Sequence, residues 1–253
     1  MTRAMPDVGE GFLSGIVREP RTSVYVLPAD GLFPETRRDW LVEHVSGGTD
    51  RRLVANGYVM QIYAPALGAY LRSSSLRGLG EPDDLVPAFF ASRLDSADFY
   101  RRWLDSGFAF RRWLLNAFHF FLHEESRRRR RDAGLPIDEE SSEPAQEEDA
   151  VAQFEAQWAR DVVRRACDRA REICAASGWS LHWDVFVRHH GEGRSYPEIA
   201  RELSFDPRRG PNFVRTAGSV LRRAMLEVLV RDGVEGPDLE REARRLVEAL
   251  RPR

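Results

Sequence analysis

The sequence predicts an all-α protein: two helical domains joined by a flexible acidic linker. Three observations carry this. Apolar residues recur at helical spacing along most of the chain from Trp40 to Leu226, and again through the tail from Pro237 to Leu250. Residues 132–150 hold eight acids and no base, with Pro136, Pro144 and paired Ser141-Ser142, and have almost nothing to bury. Around that stretch the charge is segregated: residues 51–131 carry 14 Arg against 8 acids and residues 151–231 carry 14 against 10, beneath a net charge of only −2. The bounds that follow are an N-terminal extension of unassigned structure (1–32), a first helical domain (33–131), the linker (132–150), a second helical domain (151–231) and a C-terminal helical tail (232–253).

Element by element, Phe33-Pro34-Glu35-Thr36 reads as a helix start. Trp40, Leu41 and Val45 follow at helical spacing, and Gly47-Gly48 breaks the pattern. Leu53, Tyr58, Ile62, Leu67, Tyr70 and Leu71 then supply the apolar positions of one helix, or of two broken near Pro65. Ser73–Gly80 reads as a loop. Pro82-Asp83-Asp84 opens a helix holding Leu85, Val86, Phe89, Phe90 and Leu94, since proline and acids both suit a first turn. Pro87 would remove a backbone bond in a helix starting at Pro82, so a start nearer Asp84 is expected. A loop through Ser106-Gly107 leads on.

Phe108–Arg131 is the most informative stretch, reading FAFRRWLLNAFHFFLHEESRRRRR. At about 100° per residue, Phe110, Trp113, Leu114, Ala117, Phe118, Phe121 and Leu122 form one apolar stripe. Arg112, Asn116, His119, His123 and Arg127 fall opposite, with Phe120 at the edge of that polar face, where core packing does not need it. Five consecutive guanidinium groups, Arg127–Arg131 with Arg128 among them, close the helix. Planar donors, an amide and an aromatic on one face suit an anionic, flat ligand.

Beyond the linker a helix is expected from about Val151 to Ala176, carrying Phe154, Trp158, Val162, Ala166 and Ile173. Cys167 and Cys174 on it stand about 10 Å apart along the axis, too far to bridge, and read as reduced core residues. Ser177-Gly178 ends that helix, and Leu181, Trp183, Val185, Phe186 and Val187 mark another, with His189-His190 expected in an exposed polar loop. Ser195-Tyr196-Pro197-Glu198 is a capping box, followed by Ile199, Ala200 and Leu203 and a turn at Ser204-Phe205-Asp206. An amphipathic helix through Phe213, Val214, Ala217, Val220, Leu221 and Leu226 completes a helix-turn-helix, with Arg208, Arg209, Arg215, Arg222 and Arg223 at its second helix.

Three passages, in collinear order, resemble the extracytoplasmic-function type of bacterial RNA polymerase sigma factor. Tyr63-Ala-Pro-Ala-Leu67 through Glu81-Pro-Asp-Asp-Leu-Val-Pro-Ala-Phe-Phe90 resembles the start of sigma region two and its core-binding helix. Phe110-Arg-Arg-Trp-Leu-Leu-Asn-Ala-Phe-His-Phe-Phe-Leu-His-Glu124 resembles the promoter-reading helix. Trp183-Asp-Val-Phe186, Tyr196-Pro-Glu-Ile-Ala-Arg-Glu-Leu203 and Asn212-Phe-Val-Arg-Thr-Ala217 resemble the region-four helix-turn-helix, and Glu242-Ala-Arg-Arg-Leu-Val247 resembles one branch's tail. The resemblance covers roughly residues 33–250.

It implies a region-two helix bundle and a region-four helix-turn-helix. Asp83, Asp84, Leu85 and Phe89 would meet the polymerase core. Arg112, Asn116, His119, Phe120, His123, Arg127 and Arg128 would meet the opened minus-ten element, and Arg208, Arg209, Asn212 and Arg215 the minus-thirty-five element. Promoter DNA and core polymerase are the implied partners, with an anti-sigma factor as a further one the family allows. Three positions depart from the pattern: Pro87 replaces the usual Gln of the core-binding helix, Gly210-Pro211 stands at the start of the recognition helix, and Gly218 occupies a position often basic.

Against an enzyme stands the lack of any P-loop, nucleophile elbow or zinc finger, and no cofactor is expected. His119 and His123 beside Glu124 have metal-ligand spacing, but no clear third ligand accompanies them, so no metal is expected. No apolar run nears the roughly 18 residues of a membrane span, and Met1–Glu10 lacks a secretory core, so a cytoplasmic protein is expected. The competing function is a sigma-derived helical adaptor that binds a protein partner without reading a promoter.

Overall fold

The computed structural model describes residues 38–94, 96–108, 110–134 and 144–231, with Leu239, Arg241–Ala243 and Leu246 beyond them. Among these the protein is all-α. Its helices are α1 (Arg38–Ser46), α2 (Thr49–Ser73), α3 (Pro82–Arg93), α4 (Ala97–Ser106), α5 (Phe110–Asp132), α6 (Pro144–Ala176), α7 (Ser180–Glu192), α8 (Tyr196–Leu203) and α9 (Gly210–Arg231), with 3-10 turns at Ser75–Leu79 and Pro207–Arg209. They fall into two compact units, one over residues 35–158 and one from Ala159 onward, and α6 contributes to both. The expected extension 1–32, the helix start at Phe33–Thr36, linker residues 135–143 and most of the tail 232–253 lie outside the described residues.

In the first unit, α2 runs unbroken through Pro65, which is exposed, while Ala66, Leu67, Tyr70 and Leu71 beyond it are buried. The continuous apolar face outweighs the one backbone bond proline removes. Helix α3 begins at Pro82, earlier than expected: the amides of Asp84 and Leu85 both donate to the Glu81 carbonyl at 3.1 Å. Pro87 therefore lies inside the helix on its exposed side, where solvent can serve the carbonyl left unpaired.

Helix α4 was not anticipated in the sequence, although its signals are there. Ser96 Oγ accepts the Asp98 amide at 3.2 Å as an N-cap, and Gly107 takes the left-handed conformation (φ 69°) just past the end. Its Tyr100 donates at 2.7 Å to Asn56 Oδ1, and Asn56 Nδ2 donates at 3.1 Å to the Leu94 carbonyl, so one buried amide ties α2, α3 and α4 together. Burial pushes the Tyr100 phenol up, which keeps it a donor. Helix α5 is seated by Leu114, Phe118 and Leu122, none of them accessible, with the Phe118 ring edge-on to Phe89 (5.1 Å) and to Tyr70 (6.2 Å).

Helix α6 starts at Pro144 rather than Val151, so the end of the acidic stretch is helical. Ala150, Phe154 and Trp158 are buried, and that apolar stripe extends the helix back through residues composition alone assigns to a linker. In the second unit, Trp183 and Phe186 of α7 pack with Ala170 and Cys174 of α6 and Ala217 and Ala224 of α9, while Val185, Ile199 and Phe213 form a neighbouring cluster. Both cysteines are free; burial pushes the Cys167 thiol up to about 12 and raises that of Cys174, so both stay protonated at neutral pH.

The Asn56 bridge predicts that Tyr100→Phe, which leaves Asn56 Oδ1 buried without its donor, lowers the unfolding free energy by about 1–3 kcal/mol. Urea denaturation of the two proteins measures the difference.

Candidate nucleic-acid interface

The helix-turn-helix is built from its caps outward. The Ser195 amide donates to Glu198 Oε2 at 2.8 Å and the Ser195 hydroxyl donates to the same oxygen at 2.6 Å. Those two bonds hold the Glu198 carboxyl below the usual carboxylate range. Helix α8 ends at Ser204 in the left-handed region (φ 55°), and the Asp206 carboxylate accepts the Arg208 amide at 3.0 Å. Helix α9 then begins at Gly210, so Gly210-Pro211 opens it instead of interrupting it, with proline in the first turn where its missing N–H costs nothing.

Glycine is required at 210 by close approach: a Cβ there would lie 2.4 Å from Tyr196 Cδ1. The Tyr196 ring is held in turn by His189, stacked at 4.3 Å, whose Nδ1 lies 2.9 Å from the Arg194 carbonyl. His189 and His190 thus occupy the last turn of α7, half-buried, and not an exposed loop; His190 lies 4.9 Å from Phe186. The sequence offers no cap between Val187 and His190, so the helix simply continues to Gly193. A Cβ at Gly218 would lie 3.7 Å from the Phe186 ring, which places this position on the packed side of α9.

Arg208, Arg209, Asn212 and Arg215 are all exposed. The Arg209 guanidinium lies 4.9 Å over the Phe213 ring, and Arg215 donates to Asn212 Oδ1. One outward row therefore presents guanidinium groups and an amide together at the N-terminal end of α9.

On α5 the buried arc comprises Leu114, Leu115, Phe118, Phe121, Leu122 and Ser126. Relative to the stripe expected from spacing it is turned by about 60°, counting 100° per residue. Arg112, Asn116, Phe120, Arg127 and Arg128 remain exposed, while Trp113 and Ala117 lie only half-buried and His119 and His123 are half-buried on the other flank. Trp113 is accordingly a wall residue and not a core one. Helix α6 lies along this flank: Glu147 and Glu155 reach His119 and Arg111, and cover positions that spacing left open.

His119 is therefore not a free outward donor. Tyr70 donates its single phenolic hydrogen to Glu147 Oε2 at 2.7 Å, so His119 Nδ1, 2.7 Å from the same phenol oxygen, carries its own proton and donates it there. Burial and the neighbouring His123 lower the His119 pKa against the opposing pull of Glu147, so its imidazole is neutral at neutral pH. In the basic run, Arg128 pairs with Glu125 at 2.8 Å and Arg129 donates to the Leu79 carbonyl.

Sequence reasoning did not locate the cavity of about 420 Å³ beside the exposed face, because two of its walls come from the unanticipated α4 and its cap. Its lining includes Arg93, Phe99, Arg102, Trp113 and Phe120. The Trp113 indole N–H is buried there without a partner. Among the expected core-binding residues, Asp83 and Asp84 are exposed, but Leu85 and Phe89 are buried in the first unit's core. Phe89 packs on Phe118 and Phe121 and cannot also meet a partner.

No helix among the described residues is long and apolar enough to cross a membrane. No protein-family model, curated protein or solved structure matches the chain.

The Tyr196 wedge predicts an inverted glycine effect. At an ordinary helical position Gly→Ala stabilises by about 1 kcal/mol. Here Gly210→Ala is expected to lower stability by about 1–3 kcal/mol, and Tyr196→Ala in the same chain to remove most of the extra cost. Melting curves of the two single variants and the double variant test the coupling.

Proposed function

We propose that this protein is a sigma-type transcription initiation factor of the cytoplasm, without catalytic activity, whose two units act as separate helical domains at two promoter elements. The observation that carries this reading is the outward row of Arg208, Arg209, Asn212 and Arg215 at the start of a capped helix-turn-helix. A helix of about 10–12 Å diameter enters the DNA major groove, where Arg and Asn pair bidentately with guanine and adenine edges.

In the first unit, Phe120 supports an unpaired-strand contact. Its ring is 66% exposed beside Asn116 and Arg112 and against the aromatic cavity of Phe99 and Trp113. Such a surface suits a base out of its stack, worth about 1–3 kcal/mol per base on an aromatic. Asp83 and Asp84, exposed at the start of α3, are the groups offered to a basic helix of the polymerase core. Arg127 to Arg131 would supply phosphate contacts and the salt dependence that goes with them.

Two outcomes check the reading. Arg208→Ala is expected to weaken binding to duplex promoter DNA evenly across sequences and to reduce the salt slope by about one unit, whereas Asn212→Ala should relax preference at one base pair. Phe120→Ala should leave the melting temperature and closed-duplex binding unchanged yet reduce permanganate-reactive thymines in complexes with core polymerase. Duplex and single-strand binding indistinguishable from wild type in every variant would remove the sigma reading and leave the protein-binding adaptor.

A further inference from the structure

Helix α6 begins as two different structures in sequence. From Ala150 onward it is pinned by apolar side chains, since Ala150, Phe154 and Trp158 expose 0%, 0% and 2% of their surface. Arg111 reinforces that part, donating to Glu155 at 3.1 Å while its guanidinium lies 3.8 Å over the Trp158 ring. Before Ala150 the described side chains are polar: Gln146 and Glu147 are half-buried, Glu148 and Asp149 exposed. The contacts of this tip run through Glu147, whose Oε2 accepts from Tyr70 at 2.7 Å and whose Oε1 accepts from Ser75 at 3.4 Å.

The surface under the tip consists of donors drawn from three elements. Tyr70 and Ser75 come from α2 and the turn after it, and His119 comes from α5, with Nδ1 3.8 Å from Glu147 as well as bonded to Tyr70. Two hydroxyls converge on one carboxylate, and His119 backs the Tyr70 phenol by donating to its oxygen; together they make an oxyanion site, and a phosphodiester oxygen is the same kind of acceptor. The site lies at the flank of the exposed α5 face, since His119 is three residues from Asn116 and its ring is 4.5 Å from that of His123. Helix tips held by polar contacts open at far lower free energy than segments pinned by buried aromatics.

We propose that the tip of α6 is a cis-acting cover on a phosphate site: Glu147 occupies the Tyr70 and Ser75 hydroxyls, backed by His119, in the free protein, and a backbone phosphate of a nucleic-acid strand lying along α5 displaces it. This rests on the nucleic-acid reading of α5 given above. Opening is local, because Phe154 and Trp158 keep the rest of α6 in place. It would free His119 to join Arg112, Asn116 and His123 on one continuous surface.

The test uses the full chain and a fluorescein-labelled 20-nucleotide single-stranded DNA of mixed sequence, read by anisotropy. Glu147→Gln removes the competing charge, and Glu148→Gln, the same charge change on the exposed neighbour, is the control. If the cover is closed about nine-tenths of the time, Glu147→Gln tightens binding by up to about tenfold while Glu148→Gln shows only the small effect of net charge. Adding His119→Ala should abolish the gain.

Hydrogen exchange on the wild-type protein gives an answer that does not depend on any variant folding: amides 147–150 should lose protection when the DNA is added. Equal affinities for the Glu147→Gln and Glu148→Gln variants, with protection unchanged, overturn the cover while leaving strand binding by α5 intact. Absence of binding in the wild type and both variants overturns the α5 reading and the cover together. Absence in wild type with binding restored by Glu147→Gln supports both.

Discussion

The packing of Phe118 against Phe89 and Tyr70 sets the functional side of the first unit. With Leu114 one turn before and Leu122 one turn after, it fixes α5 in one rotation, and all three side chains are inaccessible. A helix advances about 100° per residue, so fixing one arc fixes every other position. Phe120, Arg112 and Asn116 are turned out because Phe118 is turned in. Tyr70 serves twice: its ring is core, and its hydroxyl reaches the flank and bonds Glu147 and His119.

The acids of the connector have more than one role. Composition marks residues 132–150 as solvated, and for the exposed Glu148 and Asp149 that is the structure's answer too. Glu147, three residues from the fully buried Ala150, instead bonds Tyr70 and Ser75. Farther along the same helix, Glu155 offsets Arg111, a guanidinium whose side chain is only 20% exposed. A cation withdrawn that far from water needs a counter-charge, since desolvation otherwise costs several kcal/mol. Arg208 and Arg209 of the 3-10 turn and Arg215 of α9 show the opposite case, because they are exposed, keep their hydration and need no such counter-charge.

What could be read from the sequence followed how local the determinants are. The capping box at Ser195, the turn at Ser204–Asp206 and the Arg row of α9 depend on neighbours within a few residues, and spacing locates them. The helical character and two-faced composition of α5 were legible for the same reason. Its rotation was not, because it depends on partners distant in sequence: Phe89 and Tyr70 under Phe118, with α6 covering the flank through Glu147 and Glu155. Leu85 and Phe89 were expected at a docking surface through the family resemblance, yet the same spacing that makes them apolar neighbours in α3 buries both, Phe89 against Phe118 and Phe121 of α5. Helix α4 was hidden by its shortness, with three aromatics in ten residues, a serine cap and a closing glycine as its signals. With α4 unseen, the cavity between Phe99, Trp113 and Phe120 could not be found either.

The position of Phe120 gives the sharpest physical argument for function in the first unit. Burying a phenylalanine side chain stabilises a fold by about 1.5–3 kcal/mol, and here most of that gain is forgone. Neighbouring positions on α5 show that the fold can bury aromatics, since Phe118 and Phe121 are both taken into the core. Phe120 instead stands at a cavity wall that carries the Trp113 indole, two guanidinium groups, Arg93 and Arg102, and two carboxylates, Asp98 and Glu124, with Glu124 paired to Arg93. On the nucleic-acid reading proposed above, an unpaired base would stack on the ring and Arg102, exposed at the cavity wall, would be the guanidinium offered to its phosphate.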